Sequence, residues 1–173
     1  AALIGASALR ADDTPPPTAT TTATQPAPLE LTQRQRQLRI DHYRHKVWHW
    51  QRVMGARVTR RLQNAPVEFT QKVVAWKRVA TSITRRAQNP PHKSAWLCIH
   101  RYEATWTDPN PPYYGGLQMD MGFMARYGAH LLGRKGTADH WTPLEQMWVA
   151  ERALRAGRGF YPWPNTARFC GLI

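Results

Sequence analysis

Ser94-Ala95-Trp96-Leu97-Cys98-Ile99-His100-Arg101-Tyr102-Glu103 spaces Trp96, Ile99 and Tyr102 three residues apart, the pattern of one helical face, and ends on a carboxylate. The run Thr107-Asp108-Pro109-Asn110-Pro111-Pro112 that follows is a loop, since proline and Asp/Asn break both regular elements. Tyr113-Tyr114-Gly115-Gly116-Leu117-Gln118 reads as a short extended or turn segment, and Met121 to Tyr127 as a short helix closed by Gly128. Thr142-Pro143-Leu144-Glu145 is a helix start: Thr142 as N-cap, Pro143 in the first turn, Glu145 completing a capping box. That helix carries Leu144, Met147, Trp148, Val149, Ala150 and Leu154 and is expected to stop near Gly157. The aromatic, Pro-rich tail Phe160-Tyr161-Pro162-Trp163-Pro164-Asn165 is expected to wrap the surface.

Toward the N-terminus the pattern is also helical. Tyr43, Val47, Trp50 and Met54 share one face between Leu31 and Leu62, with Arg34, Arg36, Arg39, Arg44, Lys46, Arg52, Arg57, Arg60 and Arg61 around them. Asn64-Ala65-Pro66 interrupts the run. A second face of Phe69, Val73, Trp76, Ala80 and Ile83 follows, ended by Pro90-Pro91. Residues 31–91 therefore read as a basic helical hairpin, and residues 92–173 as a separate small domain. Asp12 to Pro28, built from Thr, Ala and Pro, buries too little apolar surface to offset its ordering entropy and reads as a disordered spacer. Ala1 to Ala8 resembles the end of a signal peptide with a small-x-small cleavage site, or equally a flexible Ala-rich start, so residues 1–30 are read as signal remnant and linker. No internal repeat is visible.

The chain of 173 residues carries a formal net charge of +13. Residues 1–91 hold 15 Lys/Arg and 5 Asp/Glu, against 9 and 6 in residues 92–173, so the excess lies in the N-terminal half. Such a balance implies an anionic partner or surface. The hairpin's cations are either a solvated face or a site for anionic polymers. Its aromatics keep helical spacing, which marks them as core rather than as base-stacking platforms. No stretch of 18 apolar residues is present, so no transmembrane segment is expected. The two cysteines, Cys98 and Cys170, form either one disulfide, implying an oxidising compartment, or two unrelated buried thiols. Neither has zinc-ligand spacing, and no metal or other cofactor is expected.

Glu103 is the candidate for chemistry. A carboxyl at the end of an aromatic helix, followed by Trp106, can sit in a partly apolar cleft, where desolvation favours the protonated form that a glycosidic leaving group needs. Taken alone, a Glu at a helix end is an ordinary surface residue. The segment after it changes that reading. Tyr113 and Tyr114 can stack on sugar faces, Gly115 and Gly116 let a chain approach the backbone, and Gln118 can bond a hydroxyl or acetamido group. The bland alternative is a tight hairpin. Asp108 and Asp120 are the nearest candidates by sequence for a second carboxylate.

Trp96, Cys98, Glu103, Trp106, Tyr113 to Met119, Gln146-x-x-Val149-Ala150-Glu151-Arg152, Trp163-Pro164 and Cys170 resemble, in order and spacing, the transglycosylase-like domain of actinobacterial resuscitation-promoting factors. The resemblance covers roughly residues 94–173. It implies a compact, mostly helical, lysozyme-like fold with a short β element, secretion or cell-wall association, and a Cys98–Cys170 disulfide. It also implies cleavage of the β-1,4 bond between N-acetylmuramic acid and N-acetylglucosamine in peptidoglycan. Glu103 takes the place of the family's acid, and Trp106, Tyr113, Tyr114, Gln118, Asp120 and Phe123 would line the glycan cleft. Two features differ from the family pattern. Four residues separate Cys98 from Glu103, where the family's Glu follows its Cys directly, and Gly122-Phe123 stands near the place of a Thr-Trp pair. Two other functions compete with this enzyme. One is a wall module that grips peptidoglycan without cutting it. The other is a nucleic-acid binder using Arg34 to Arg86, against which stand the absence of a nucleic-acid motif and the expected disulfide; nucleic acid is therefore not an expected partner.

Overall fold

A computed structural model describes residues 31–64 and 68–173; the expected signal remnant and linker lie outside them, as do Ala65 and Pro66 of the expected helix break. The described chain is mostly helical. Its elements run α1 (Gln33–Val53), α2 (Phe69–Ala87), α3 (Lys93–Glu103), β1 (Tyr113–Tyr114), β2 (Met119–Asp120), α4 (Met121–Tyr127), α5 (Ala129–Lys135), α6 (Pro143–Ala153) and α7 (Pro164–Phe169). The two strands pair antiparallel, Tyr113 opposite Asp120 and Tyr114 opposite Met119. Residues 31–173 form one compact unit.

Helices α1 and α2 make the expected hairpin. Thr32 and Gln35 form a capping box at the start of α1, and the Glu68 carboxylate caps α2 by accepting from the Thr70 amide. Ile40, Val47, Trp76 and Ala80 are buried between them, with Tyr43, Phe69, Val73 and Ile83 packed around. α1 ends at Val53, short of Leu62, because Met54 caps it and Gly55 turns the chain at φ +68°. Beyond the turn, Gln51 holds the returning chain through both the amide and the hydroxyl of Thr59.

Helix α6 organises the rest. It begins at the expected Thr142–Glu145 capping box, and its residues from Glu145 to Glu151 are all buried. The buried polar side chains of this helix each tie down another element, although the Gln146 Oε1 has no hydrogen-bond partner among the described residues. The Trp148 indole donates to the Ala87 carbonyl at the end of α2, 2.8 Å away. Glu151 accepts from the His92 amide at 2.7 Å and from the Trp96 indole at 2.9 Å, fixing the start of α3. Arg155, just past α6, donates to the Met54 carbonyl at 2.6 Å, a cation at the C-terminal end of α1 where the helix dipole favours it. Gln146 donates to the carbonyls of Trp106 and Ala138, both at 2.8 Å. Glu145 accepts from Lys135 of α5 at 2.7 Å and from His49 of α1 at 3.0 Å.

Burial alone would raise the Glu145 pKa, but the hydrogen bonds from His49, Lys135 and the Thr142 amide overcome it and hold the carboxyl at about 2. His130 lies beside this cluster, its ring centroid 6.2 Å from that of His49. Burial, then the nearby charges of Arg52 and Arg134, push its pKa below the ordinary value.

One local expectation changes. The tail does not wrap the surface: Trp163 is buried in the main core and donates from its indole to the Leu117 carbonyl at 2.6 Å, and Pro164 opens α7. A single turn of π-helix, Leu154–Arg158, extends α6 until Gly157 turns at φ +86°, near the expected stop. The cysteines are joined as a Cys98–Cys170 disulfide, which pins the chain just after α7 to α3. No helix among the described residues is long and apolar enough to cross a membrane.

Candidate functional site

Glu103 is the last residue of α3, and Ala104 leaves the helix in extended conformation. The carboxylate is half-buried. Its Oε1 accepts a hydrogen bond from the Thr166 hydroxyl at 2.7 Å, and Oε2 has no hydrogen-bond partner among the described residues. Thr166 sits on α7, which the disulfide holds against α3 four residues further on. Glu103 borders an open depression of about 530 Å³ lined also by His100, Arg101, Ala104, Thr105 and Trp106. His100, one turn before Glu103, stacks on the Trp106 ring at a centroid distance of 3.9 Å. Trp106 is half-buried, and its carbonyl is held by Gln146.

The Gly115–Gly116 pair packs closely against that wall. A Cβ on Gly116 would stand 2.6 Å from His100 Nδ1 and 2.8 Å from Trp106 Cε3, and one on Gly115 would stand 2.6 Å from Gln146 Oε1. These glycines admit the protein's own side chains, so their close approach is spent on packing the Trp106 wall. Gly115 also takes φ +72°, which only glycine adopts without strain.

The other expected glycan contacts are distributed differently. Glu103 and Trp106 share the depression; Tyr113, Tyr114, Gln118, Asp120 and Phe123 do not line it. Tyr113 is 49% exposed on the hairpin edge, and Tyr114 is half-buried against the main core. Gln118 turns its amide nitrogen inward, donating to Asp108 Oδ2 at 2.8 Å and the Gly115 carbonyl at 3.0 Å, so it braces the loop. Asp120 caps α4 by accepting from the Phe123 amide at 2.7 Å, and the Phe123 ring packs edge-on against Tyr127 and Trp163.

No family model, curated protein or solved structure matches this chain. The chemistry therefore rests on the residues themselves. Both sequence candidates for a second carboxylate have structural duties: Asp108 accepts from Gln118 and from the Asn110 side chain, and Asp120 is the α4 cap. Among the described residues no group of three or more His, Cys, Asp or Glu is placed to hold a metal ion. Thr166, His100 and Gln146 are the site-building residues that sequence reasoning left without a role. Gln146 alone had a signal, as part of the family-like Gln-x-x-Val-Ala-Glu-Arg run, whereas nothing local marks Thr166 or His100.

Proposed function

We propose that this chain is a secreted or wall-associated peptidoglycan-cleaving enzyme with a lysozyme-like domain, in which Glu103 is the single acid/base. The observation that carries the proposal is the Glu103 carboxylate itself: one oxygen fixed by Thr166, the other unpaired beside an open depression with an aromatic wall. One anchored oxygen sets the direction of the free one, which is what a proton donor to a glycosidic oxygen requires. In this reading Glu103 gives its proton to the leaving oxygen as the C1–O bond breaks and the sugar gains oxocarbenium character. A sugar then sits against Trp106. The Cys98–Cys170 disulfide supports an oxidising compartment.

A two-carboxylate hydrolase would place a partner about 5–9.5 Å away. With Asp108 and Asp120 engaged elsewhere, the substrate completes the reaction. Its 6-hydroxyl attacks C1 and returns a proton to the Glu103 carboxylate, leaving an anhydro product. Hydrolysis, with water attacking instead, gives a reducing end. Mass spectrometry of fragments released from purified peptidoglycan separates the two. Glu103→Gln is expected to cut release by about 10²–10⁴-fold with an unchanged thermal transition. Unchanged release from the variant overturns the proposal. Binding to peptidoglycan with no fragments from the wild type favours the non-cutting wall module.

A further inference from the structure

The hairpin concentrates the charge of the whole molecule. Residues 33–87 hold fourteen Lys/Arg against Asp41 and Glu68, a net of +12 out of +13. Asp41 is already paired with Arg44 at 2.8 Å, and Glu68 is spent as the α2 cap. On α2, Lys77, Arg78, Arg85 and Arg86 are exposed, and none has an ion-pair partner among the described residues. The two cation pairs are eight residues apart on one helix, about 12 Å along its axis. Thr81 and Ser82 lie between them.

This face is also shaped. A depression of about 490 Å³ is lined by Val74, Lys77, Arg78, Thr81, Ser82 and Arg85. It is continued at one end by a second that shares Thr81 and Arg85 and adds Tyr43 and Lys46 of α1, and at the other by a third that shares Val74 and Arg78 and ends at the Glu68 carboxylate, where the cationic track stops. Together they follow α2 from Thr70 to Gln88, a track of about 27 Å.

We infer that this track binds a flexible, base-free phosphodiester polymer, a chain of polyol phosphate units, laid along α2. Arg78 and Arg85 line the track and Arg86 stands exposed beside it; the planar fork of an arginine takes two oxygens of one phosphate, and the hydroxyls of Thr81 and Ser82 suit polyol and phosphate oxygens between the pairs. A bilayer surface fits less well: Val74 is the one large apolar side chain exposed on α2, and an interfacial helix needs a broad apolar face. Single-stranded nucleic acid fits less well because its binding uses aromatic platforms. Here Trp76 is buried, Trp48 lies beneath Arg44 and Arg52, and the half-buried Tyr43 is the one aromatic ring lining the track among the described residues, too few to take successive bases. The choice of a base-free polymer rests on the extracytoplasmic reading above; the track itself does not.

The test is binding of the full chain to fluorescent poly(glycerol phosphate) across a salt series, with no peptidoglycan present, so that its result is independent of glycan cleavage. The Lys77→Gln, Arg78→Gln, Arg85→Gln, Arg86→Gln variant is expected to bind at least tenfold more weakly and with a shallower salt slope, as fewer counterions are released. A charge-matched control neutralises Arg126, Arg134, Arg158 and Arg168, equally exposed outside the hairpin, and is expected to bind within threefold of wild type. Equal losses in the two variants would reduce the effect to net charge and overturn the track. Tighter binding to poly(dT), or to phosphatidylglycerol vesicles, than to poly(glycerol phosphate) would overturn the choice of polymer.

Discussion

The Thr166 hydroxyl of α7 donates to Oε1 of Glu103 at the end of α3, 2.7 Å away and 63 residues on in the chain. Thr166 is itself buried, and its hydroxyl also lies 3.4 Å from the Trp163 carbonyl. The bond fixes the rotation of a carboxylate that otherwise stands at an open rim. Thr166→Val keeps the shape and removes the donor. A hydrogen bond to a charged group contributes about 1.5–3 kcal/mol, so roughly tenfold or more of kcat on peptidoglycan is expected to be lost, with KM within twofold. Thr166→Ser is expected to restore most of it. A wild-type kcat for Thr166→Val would show that the contact positions nothing.

Gly116 is the second test, because its missing side chain makes room for the aromatic wall. In Gly116→Ala the new Cβ meets His100 and the Trp106 ring, neither of which is a flexible chain end. Overpacking of this kind costs about 1–3 kcal/mol. Thermal unfolding is expected to fall by several degrees, and glycan cleavage to fall with it as Trp106 is displaced. An unchanged transition would mean that the His100–Trp106 stack yields freely.

Where structure is set by neighbours in sequence, it was legible. The Thr142–Glu145 box, the faces of α1 and α2 and the turn between Tyr114 and Met119 all form as their local patterns predict. Where a residue's partner lies far along the chain, local pattern misled. Trp163 looks like part of a surface tail, yet its indole finds the Leu117 carbonyl 46 residues away and the ring enters the core. Gln118 has the chemistry to bind a sugar, but Asp108 claims its amide first. Helix α5, only seven residues between Gly128 and Gly136, is too short to print a periodicity. Glu145 was legible as a cap; its burial among His49 and Lys135 depends on α1 and α5 meeting α6.

The disulfide closes 72 residues of chain and joins the two helices that carry Glu103 and Thr166. Replacing both Cys98 and Cys170 by Ala is expected to destabilise the protein by about 2–5 kcal/mol, mainly by freeing the unfolded chain. α7 is a short helix, so its anchoring is expected to loosen before the core does. Glycan cleavage should therefore fall at temperatures where far-UV circular dichroism is still native. Coincident loss of the two signals would show that Trp163 and Thr166 anchor α7 without the disulfide.

Acid is expected to remove stability in two steps, one traceable to Glu145 on α6 and one to His130 near it. His130 titrates in the folded protein below its ordinary 6.5, because burial and the charges of Arg52 and Arg134 disfavour its cation. Its contribution is complete above pH 6.5 and declines as pH falls from there through the folded pKa, since the unfolded chain takes up the proton first. Glu145 follows. Its pKa is about 2 in the folded state against 4.5 ordinarily, so its contribution is complete above pH 4.5 and is lost as pH falls toward 2. At about 1.4 kcal/mol per unit, that step is roughly 3 kcal/mol. Urea midpoints between pH 8 and 3 would read the His130 step and the upper part of the Glu145 step. His130→Gln is expected to flatten the curve between pH 7 and 5 while leaving the lower step in place. Glu145→Gln is expected to remove the lower step and to lower stability at neutral pH as well, because Lys135 and His49 lose the carboxylate they share. A wild-type midpoint unchanged from pH 7.5 to 5 would contradict the role given to His130.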